Sequence, residues 1–298
     1  MINNKNIVLT GASSGIGFEV LKLLCKGGAN KILAVSRHSE QLLKTFSENV
    51  IPFNMDISTK EGVDAVFAKA DEVFEGQKID IFYANAGFPY YEEFNYEDWD
   101  RVKVMFDTNT LSPIYTYAKF IHHLNGRSGI LAITVSAIGQ MAMPGYAIYS
   151  ASKFGLQGFQ EAIRLEAPKN LQITCLYPVA TDTNFFRVAN PVAFEKPFPV
   201  QQPDVVARKM VEGIEKGKKF VSPSPLFGLS KVLMGICPPV KTVYWGLETA
   251  KLNRFKEKLE ALGKEAASAA GTVTKEALDK GVAAAKKGKQ ALDAAVKK

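Results

Sequence analysis

The eight residues Thr10-Gly11-Ala12-Ser13-Ser14-Gly15-Ile16-Gly17 constrain this chain more than any other stretch. They follow a β-branched run, NIVLT at 6–10, and lead into a segment with helical character, so a strand must turn directly into a helix there. Glycines in such a turn let the main chain approach a bound anion. The first turn of the helix adds unpaired N–H groups and a partial positive charge. The unit suits a dinucleotide pyrophosphate, with Gly11, Ser13, Ser14, Gly15, Ile16 and Gly17 as its contacts. The same spacing also serves as an ordinary turn between strand and helix, so its meaning depends on what surrounds it.

Strand-like runs recur at 31–36, 50–56, 79–87, 129–136, 171–178 and 219–223, separated by segments long enough for helices. In one of these, 59–74, the residues Val63, Val66, Phe67 and Ala70, with Val73 or Phe74, fall on one apolar stripe. Six or seven buried strands alternating with helices predict an α/β protein with a doubly wound parallel sheet. That domain spans 1–225, and the 47% hydrophobic composition supplies its core. Residues 226–255 are an apolar extension, predicted to be helical and broken at Pro238-Pro239. Lys231, the proline pair and Lys241 interrupt it well short of the roughly 20 apolar residues a bilayer span requires. Residues 256–298 are rich in Ala and Lys and contain no aromatic residue; with Gly263, Gly271, Gly281 and Gly288 they are expected to be a marginal helix or disordered.

The net charge of +7 is concentrated toward that tail, without an aromatic-basic stripe, so no nucleic-acid partner is expected. Cys25, Cys175 and Cys237 are scattered, with no histidine placed to complete a zinc site, which implies no metal and a reducing compartment. The opening MINNKNIVLTG leaves no room for an export signal, and a cytoplasmic location is expected. His38, His122 and His123 suggest surface or capping roles.

Two further positions bear on a cofactor. The second strand ends in Ser36-Arg37, where an NAD site places an acid on the ribose; an arginine attracts a 2′-phosphate, which predicts NADP(H). Asp56, followed by Ile57, could accept from an adenine amino group or cap a turn. Tyr149 and Lys153, in YSASK, are four residues apart and share a helix face; alone they could equally be a surface pair.

Taken in register, these residues resemble the short-chain dehydrogenase/reductase family in its compact branch. The match comprises Thr10, Gly11, Gly15 and Gly17; Asp56; Asn85-Ala86-Gly87; Asn109; Ser136; Tyr149; Lys153; and Pro178 through Thr183. It runs from residue 5 to about 222 and implies a Rossmann fold with a homo-oligomeric assembly. It also implies that Asn85, Ala86, Gly87, Pro178, Thr181 and Thr183 contact the cofactor together with Tyr149 and Lys153. The resemblance makes Tyr149 the proton donor, Ser136 the holder of the substrate oxygen, Lys153 a ligand of the nicotinamide ribose, and Asn109 the site of a water linking Lys153 to solvent. A phenol titrates near 10, so positive neighbours are expected to lower its pKa. The sequence departs from the family at Val179 and Ser112, where glycine is frequent.

The activity implied is NADP(H)-dependent interconversion of a ketone and a secondary alcohol. Phe185, Phe186, Phe194 and Phe198, with Met141, Met143 and Phe88 to Tyr91, predict an apolar pocket for a lipophilic substrate. Two other readings stand beside it. One is a non-catalytic NADP-binding regulatory or scaffolding protein that associates through its C-terminus; the other is a sugar-nucleotide epimerase, which lacks support in a large C-terminal sugar domain. Residues 226–298 also suggest weak peripheral membrane contact.

Overall fold

A computed structural model of the chain describes residues 2–269, apart from 27, 47 and 48. The domain is built in the order β1 (Asn6–Thr10), α1 (Gly15–Lys26), β2 (Lys31–Ser36), β3 (Val50–Asn54), α2 (Lys60–Val73), β4 (Ile81–Ala84), α3 (Trp99–Phe106) and α4 (Ser112–Leu124). It continues with β5 (Gly129–Thr134), α5 (Ala147–Glu166), β6 (Leu171–Leu176), β7 (Ala180–Thr181), α6 (Phe185–Ala189), β8 (Val200–Gln201), α7 (Pro203–Glu215) and β9 (Phe220–Val221). Two helices close it, α8 (Pro225–Ile236) and α9 (Pro238–Ala269). The main sheet has seven parallel strands in the order β3-β2-β1-β4-β5-β6-β9. This is the doubly wound Rossmann-like fold that the alternation of runs predicts.

The period-two alternation of β1 decides which side chains meet which helices. Val8 points to one face, into a core shared with Val63, Val66, Phe67 and Ala70 of α2, Phe120 of α4 and Leu156 of α5. Ile7 and Leu9 point to the other, against Val20 and Leu21 of α1 and Val206 and Met210 of α7. The predicted stripe of α2 is therefore the buried one, and Phe74, not Val73, completes it at 1% exposure. Thr59 caps α2 by accepting from the Gly62 N–H.

From β1 the sheet grows outward through β2 and β3, then resumes on the opposite side with β4. The strand order thus reverses between β1 and β4, which opens a crevice at their carboxyl ends. The small β7–β8 pair and α6 lie in the chain beyond β6.

The C-terminal helices break at the proline pair, but α9 runs to Ala269, through Lys256 and Gly263. Aromatic anchoring is the reason: Phe255 is buried against Tyr91 and Phe194, with Tyr244 and Leu252 packed against the same cluster. Trp245 Nε1 donates to the Ala142 carbonyl, and Lys256 pairs with Glu93. Residues beyond 269, most of the Ala/Lys-rich tail, lie outside the described residues.

Candidate active site

The floor of the crevice is a hydrogen-bonded seam across three strand ends. Thr10 Oγ1 accepts from the N–H groups of Asn85 and Ala86 at 3.0 and 3.1 Å. Asn85 Nδ2 donates to the Thr10 carbonyl at 3.2 Å, and Thr134 Oγ1 donates to Asn85 Oδ1 at 3.0 Å. Asn85 and Ala86 leave the sheet to make this seam, which is why β4 ends at Ala84. Gly11 and Gly15 take positive φ values of 67° and 56°, a region open to glycine. A Cβ on Gly17 would lie 2.2 Å from the Gly11 carbonyl oxygen, so Gly17 sets how closely α1 approaches the turn.

Above this floor lies a cavity of about 340 Å³. Every residue predicted for catalysis or cofactor contact lines it except Gly17 and Asn109. Of the predicted apolar wall, Pro89, Tyr90, Tyr91 and Phe194 do not reach it, because the three aromatic rings pack instead into the buried cluster around Phe255. At one end the Ser36 hydroxyl is buried with no hydrogen-bond partner, an orphaned polar group that a ligand oxygen could satisfy. Arg37 follows it, half-buried, and Asp56 stands close by: burial lowers the guanidinium pKa and the carboxylate raises it again. Asp56 Oδ1 accepts from the Ser58 N–H, so the turn role foreseen for it is occupied, while the residue still faces the cavity. The glycine cradle and the orphaned hydroxyl beside Arg37 together fit a dinucleotide cofactor.

Helix α5 carries Tyr149 and Lys153 one turn apart, both buried, with Lys153 Nζ 5.8 Å from the centre of the Tyr149 ring. Lys153 Nζ donates to the Thr134 carbonyl at 3.1 Å. Ser136 reaches Tyr149 from the end of β5 and hydrogen-bonds its phenol. The Ser136 backbone sits at φ 133°, a conformation that costs a non-glycine residue about 1–3 kcal/mol. A short 3₁₀ turn, residues 137–139, holds it there: Ser136 Oγ accepts from the Ile138 N–H, and the Ala137 N–H donates to the Pro178 carbonyl.

Asn109 lies in a π-helical turn, Asp107–Leu111, between α3 and α4, a kind of irregularity often found at functional sites. Its amide is fully buried and turned into the protein. Oδ1 accepts from the Phe88 N–H, and Nδ2 donates to the Phe88 carbonyl and to Ser152 Oγ. Ser152 Oγ in turn donates to the Tyr149 carbonyl. The side chain therefore positions the loop after β4 against α5.

Burial dominates the electrostatics. It raises the Tyr149 phenol, which Ser136 only partly offsets, and lowers the Lys153 ammonium to about 7. The expected lowering of Tyr149 by its cationic neighbour does not hold in the protein alone, because a dry ammonium is itself unfavourable. One consequence is measurable without substrate. Folded Lys153 releases its proton near 7, whereas the unfolded chain keeps it until 10.5, so the unfolded state binds more protons in between. Stability of the cofactor-free protein should therefore rise with pH above 7, by roughly 1 kcal/mol per pH unit for one proton. Urea unfolding between pH 7 and 9 reads this, before the half-buried Cys25 and buried Cys175 thiols, whose pKa values burial raises from 9.0, act in the opposite sense. Lys153→Met should flatten the slope; an unchanged slope assigns it to another group.

Four contributors escape the sequence. Thr134 closes an apolar run, yet its carbonyl takes Lys153 and its hydroxyl takes Asn85. Tyr146 lines the cavity with a buried hydroxyl that has no hydrogen-bond partner. Phe227 of α8 and Tyr244 of α9 also reach the cavity wall, which only the packing of the C-terminal helices reveals.

The sequence profile described as "short chain dehydrogenase" matches residues 5–192. Among curated relatives, the chain is 28% identical over 266 residues to a 3-dehydrosphinganine reductase of Danio rerio, covering 83% of this chain and 79% of that one. It is 25% identical over 262 residues to an 11-beta-hydroxysteroid dehydrogenase 1A of Arabidopsis thaliana, covering 81% and 74%. Among solved structures, a short chain dehydrogenase from Burkholderia cenocepacia in complex with NADP superimposes with a TM-score of 0.69 at 21% identity, covering 82% of this chain and 98% of that one.

Proposed function

The chain belongs to the short chain dehydrogenase family and is an oxidoreductase of that type; from this premise we propose that it interconverts a lipophilic ketone and its secondary alcohol with NADP(H). The observation that carries this reading is the continuity of one cavity, from Ser36 and Arg37, past Ser136, Tyr149 and Lys153, to a wall of Met141, Met143, Phe185 and Phe198. The first end suits a 2′-phosphate, the middle holds a proton donor, and the far wall suits an apolar chain or ring.

In the reductive direction a nicotinamide held by the glycine turn and Lys153 would supply hydride to the carbonyl carbon. Ser136 holds the carbonyl oxygen where negative charge develops, and Tyr149 gives its phenolic proton to that oxygen. Lys153, if protonated, opposes the charge left on the phenol. Its amine is held at the Thr134 carbonyl, 5.8 Å from the centre of the Tyr149 ring. Asn109 steadies the arrangement by tying Phe88 to α5 through Ser152.

The far wall also bears on the substrate. The relatives described by name as acting on dehydrosphinganine and hydroxysteroids handle apolar molecules, and Val179, where glycine is frequent, packs with Phe227 to extend the apolar surface. A panel of ketones with a constant reacting end and a lengthening alkyl chain tests this, with NADPH as reductant. The specificity constant should rise with length, up to roughly fourfold per buried methylene. Preference for small polar carbonyls would end the lipophilic assignment.

A further inference from the structure

The two C-terminal helices turn one aromatic residue each toward the cavity, Phe227 from α8 and Tyr244 from α9, and leave apolar side chains on their outer surface. On α8, Leu226, Leu229, Val232, Leu233 and Ile236 recur at spacings of three and four and form one stripe, with Leu229 68% and Ile236 79% exposed. On α9, Val243 and Leu247 are exposed one turn apart, at 64% and 61%. Phe198, itself 65% exposed, lines the cavity as well and accepts a hydrogen bond from Tyr244 through its carbonyl. The cavity therefore comes to the surface beside this apolar face.

We propose that the outer face of α8 and the first turns of α9 docks on an anionic lipid bilayer and sets the cavity against it. Charge singles out this partner. Between residues 225 and 247 the charged residues are Lys231 and Lys241, and no Asp or Glu occurs until Glu248. A second copy of the chain seated there would bring like charges together and cover Phe198, whereas acidic headgroups pair with both ammoniums. Lys241 stands over the Trp245 ring at 4.4 Å, and Lys231 reaches Gln140, so both cations border the apolar stripe. No helix among the described residues is long and apolar enough to cross a membrane, so the pair lies on the surface. The inference rests on the lipophilic reading only for what the membrane delivers; docking itself does not require turnover.

Flotation of the full chain with vesicles tests it, without substrate or NADPH. The protein should rise with vesicles of phosphatidylcholine and phosphatidylglycerol, and less with phosphatidylcholine alone or in high salt. The double variant Leu229→Glu/Ile236→Glu should lose roughly tenfold or more of the bound fraction, because two apolar contacts become charges. Its melting temperature reports that it is folded. Lys231→Glu/Lys241→Glu, which keeps the apolar stripe, should lose the preference for anionic vesicles. The proposal fails if the wild-type chain does not float with anionic vesicles, or if both double variants float as it does. It also fails if the wild-type chain is a dimer that Leu229→Glu/Ile236→Glu splits without any vesicle binding, since the face would then join two copies.

Discussion

Tyr149→Phe should leave a folded protein that binds NADPH normally and turns over its ketone about 10²–10⁴-fold more slowly. The substitution removes one oxygen. Ring contacts with Tyr146 and Phe185 survive it, and Phe occupies the same buried space. The hydrogen bond to Ser136 is lost, worth about 1 kcal/mol, while a buried hydroxyl no longer has to be desolvated, so the melting temperature should move by only a few degrees. The loss should fall on kcat, because the proton moves only as charge develops on the substrate oxygen. Steady-state kinetics with NADPH binding measured in parallel separates the two effects. Turnover retained to within about tenfold would remove Tyr149 from the chemistry.

Arg37→Asp should reverse cofactor choice, weakening NADPH by roughly 10²–10³-fold while NADH is held or improved. The change replaces a charge-assisted contact with a repulsive one, and each contribution is worth on the order of 1.5–3 kcal/mol. It also offers a ribose hydroxyl the acceptor that NAD sites use. Ser36 remains beside it with its unpaired hydroxyl, so part of the 2′-phosphate site persists and discrimination should fall short of complete. Calorimetric titration of both cofactors into the wild-type and variant proteins decides the matter. Equal affinities in the wild type would defeat the assignment before any mutation is made.

The sequence exposed the fold through hydrophobic patterning, and did so best where strands are buried on both faces. The runs at 6–10 and 31–36 coincide with β1 and β2 because every residue in their interiors is enclosed by helices. The run at 79–87 overstates β4, because apolar patterning does not show where the ladder stops: the polar groups of Asn85 and Ala86 turn to Thr10 and Thr134 instead of continuing it. The reach of α9 was hidden for the opposite reason: Ala and Lys carry little pattern, and the stabilising contact comes from Phe255 on a distant cluster.

At the site, residues that declare themselves by chemistry were legible. Tyr149, Lys153, Ser136 and Arg37 are unusual side chains at telling spacings, and all four line one cavity. Groups that act through the backbone or through a partner were not. Asn109 could be named, but only the π-helical turn shows that its amide serves Phe88 and Ser152. Nor could sequence show that burial outweighs mutual attraction for the tyrosine and lysine, because desolvation depends on everything packed around them.

The long last helix grips the segment between α6 and β8 at several points. Arg254 pairs with Glu195, Lys251 and Lys258 donate to the Lys196 and Ala193 carbonyls, and Tyr244 donates to that of Phe198. The reacting groups, by contrast, are fastened to the sheet. The far wall of the cavity and the reacting groups thus hang on different supports that meet where the Phe185 ring packs against Tyr149, so a change in the C-terminal quarter would be felt at the phenol through that one shared cluster.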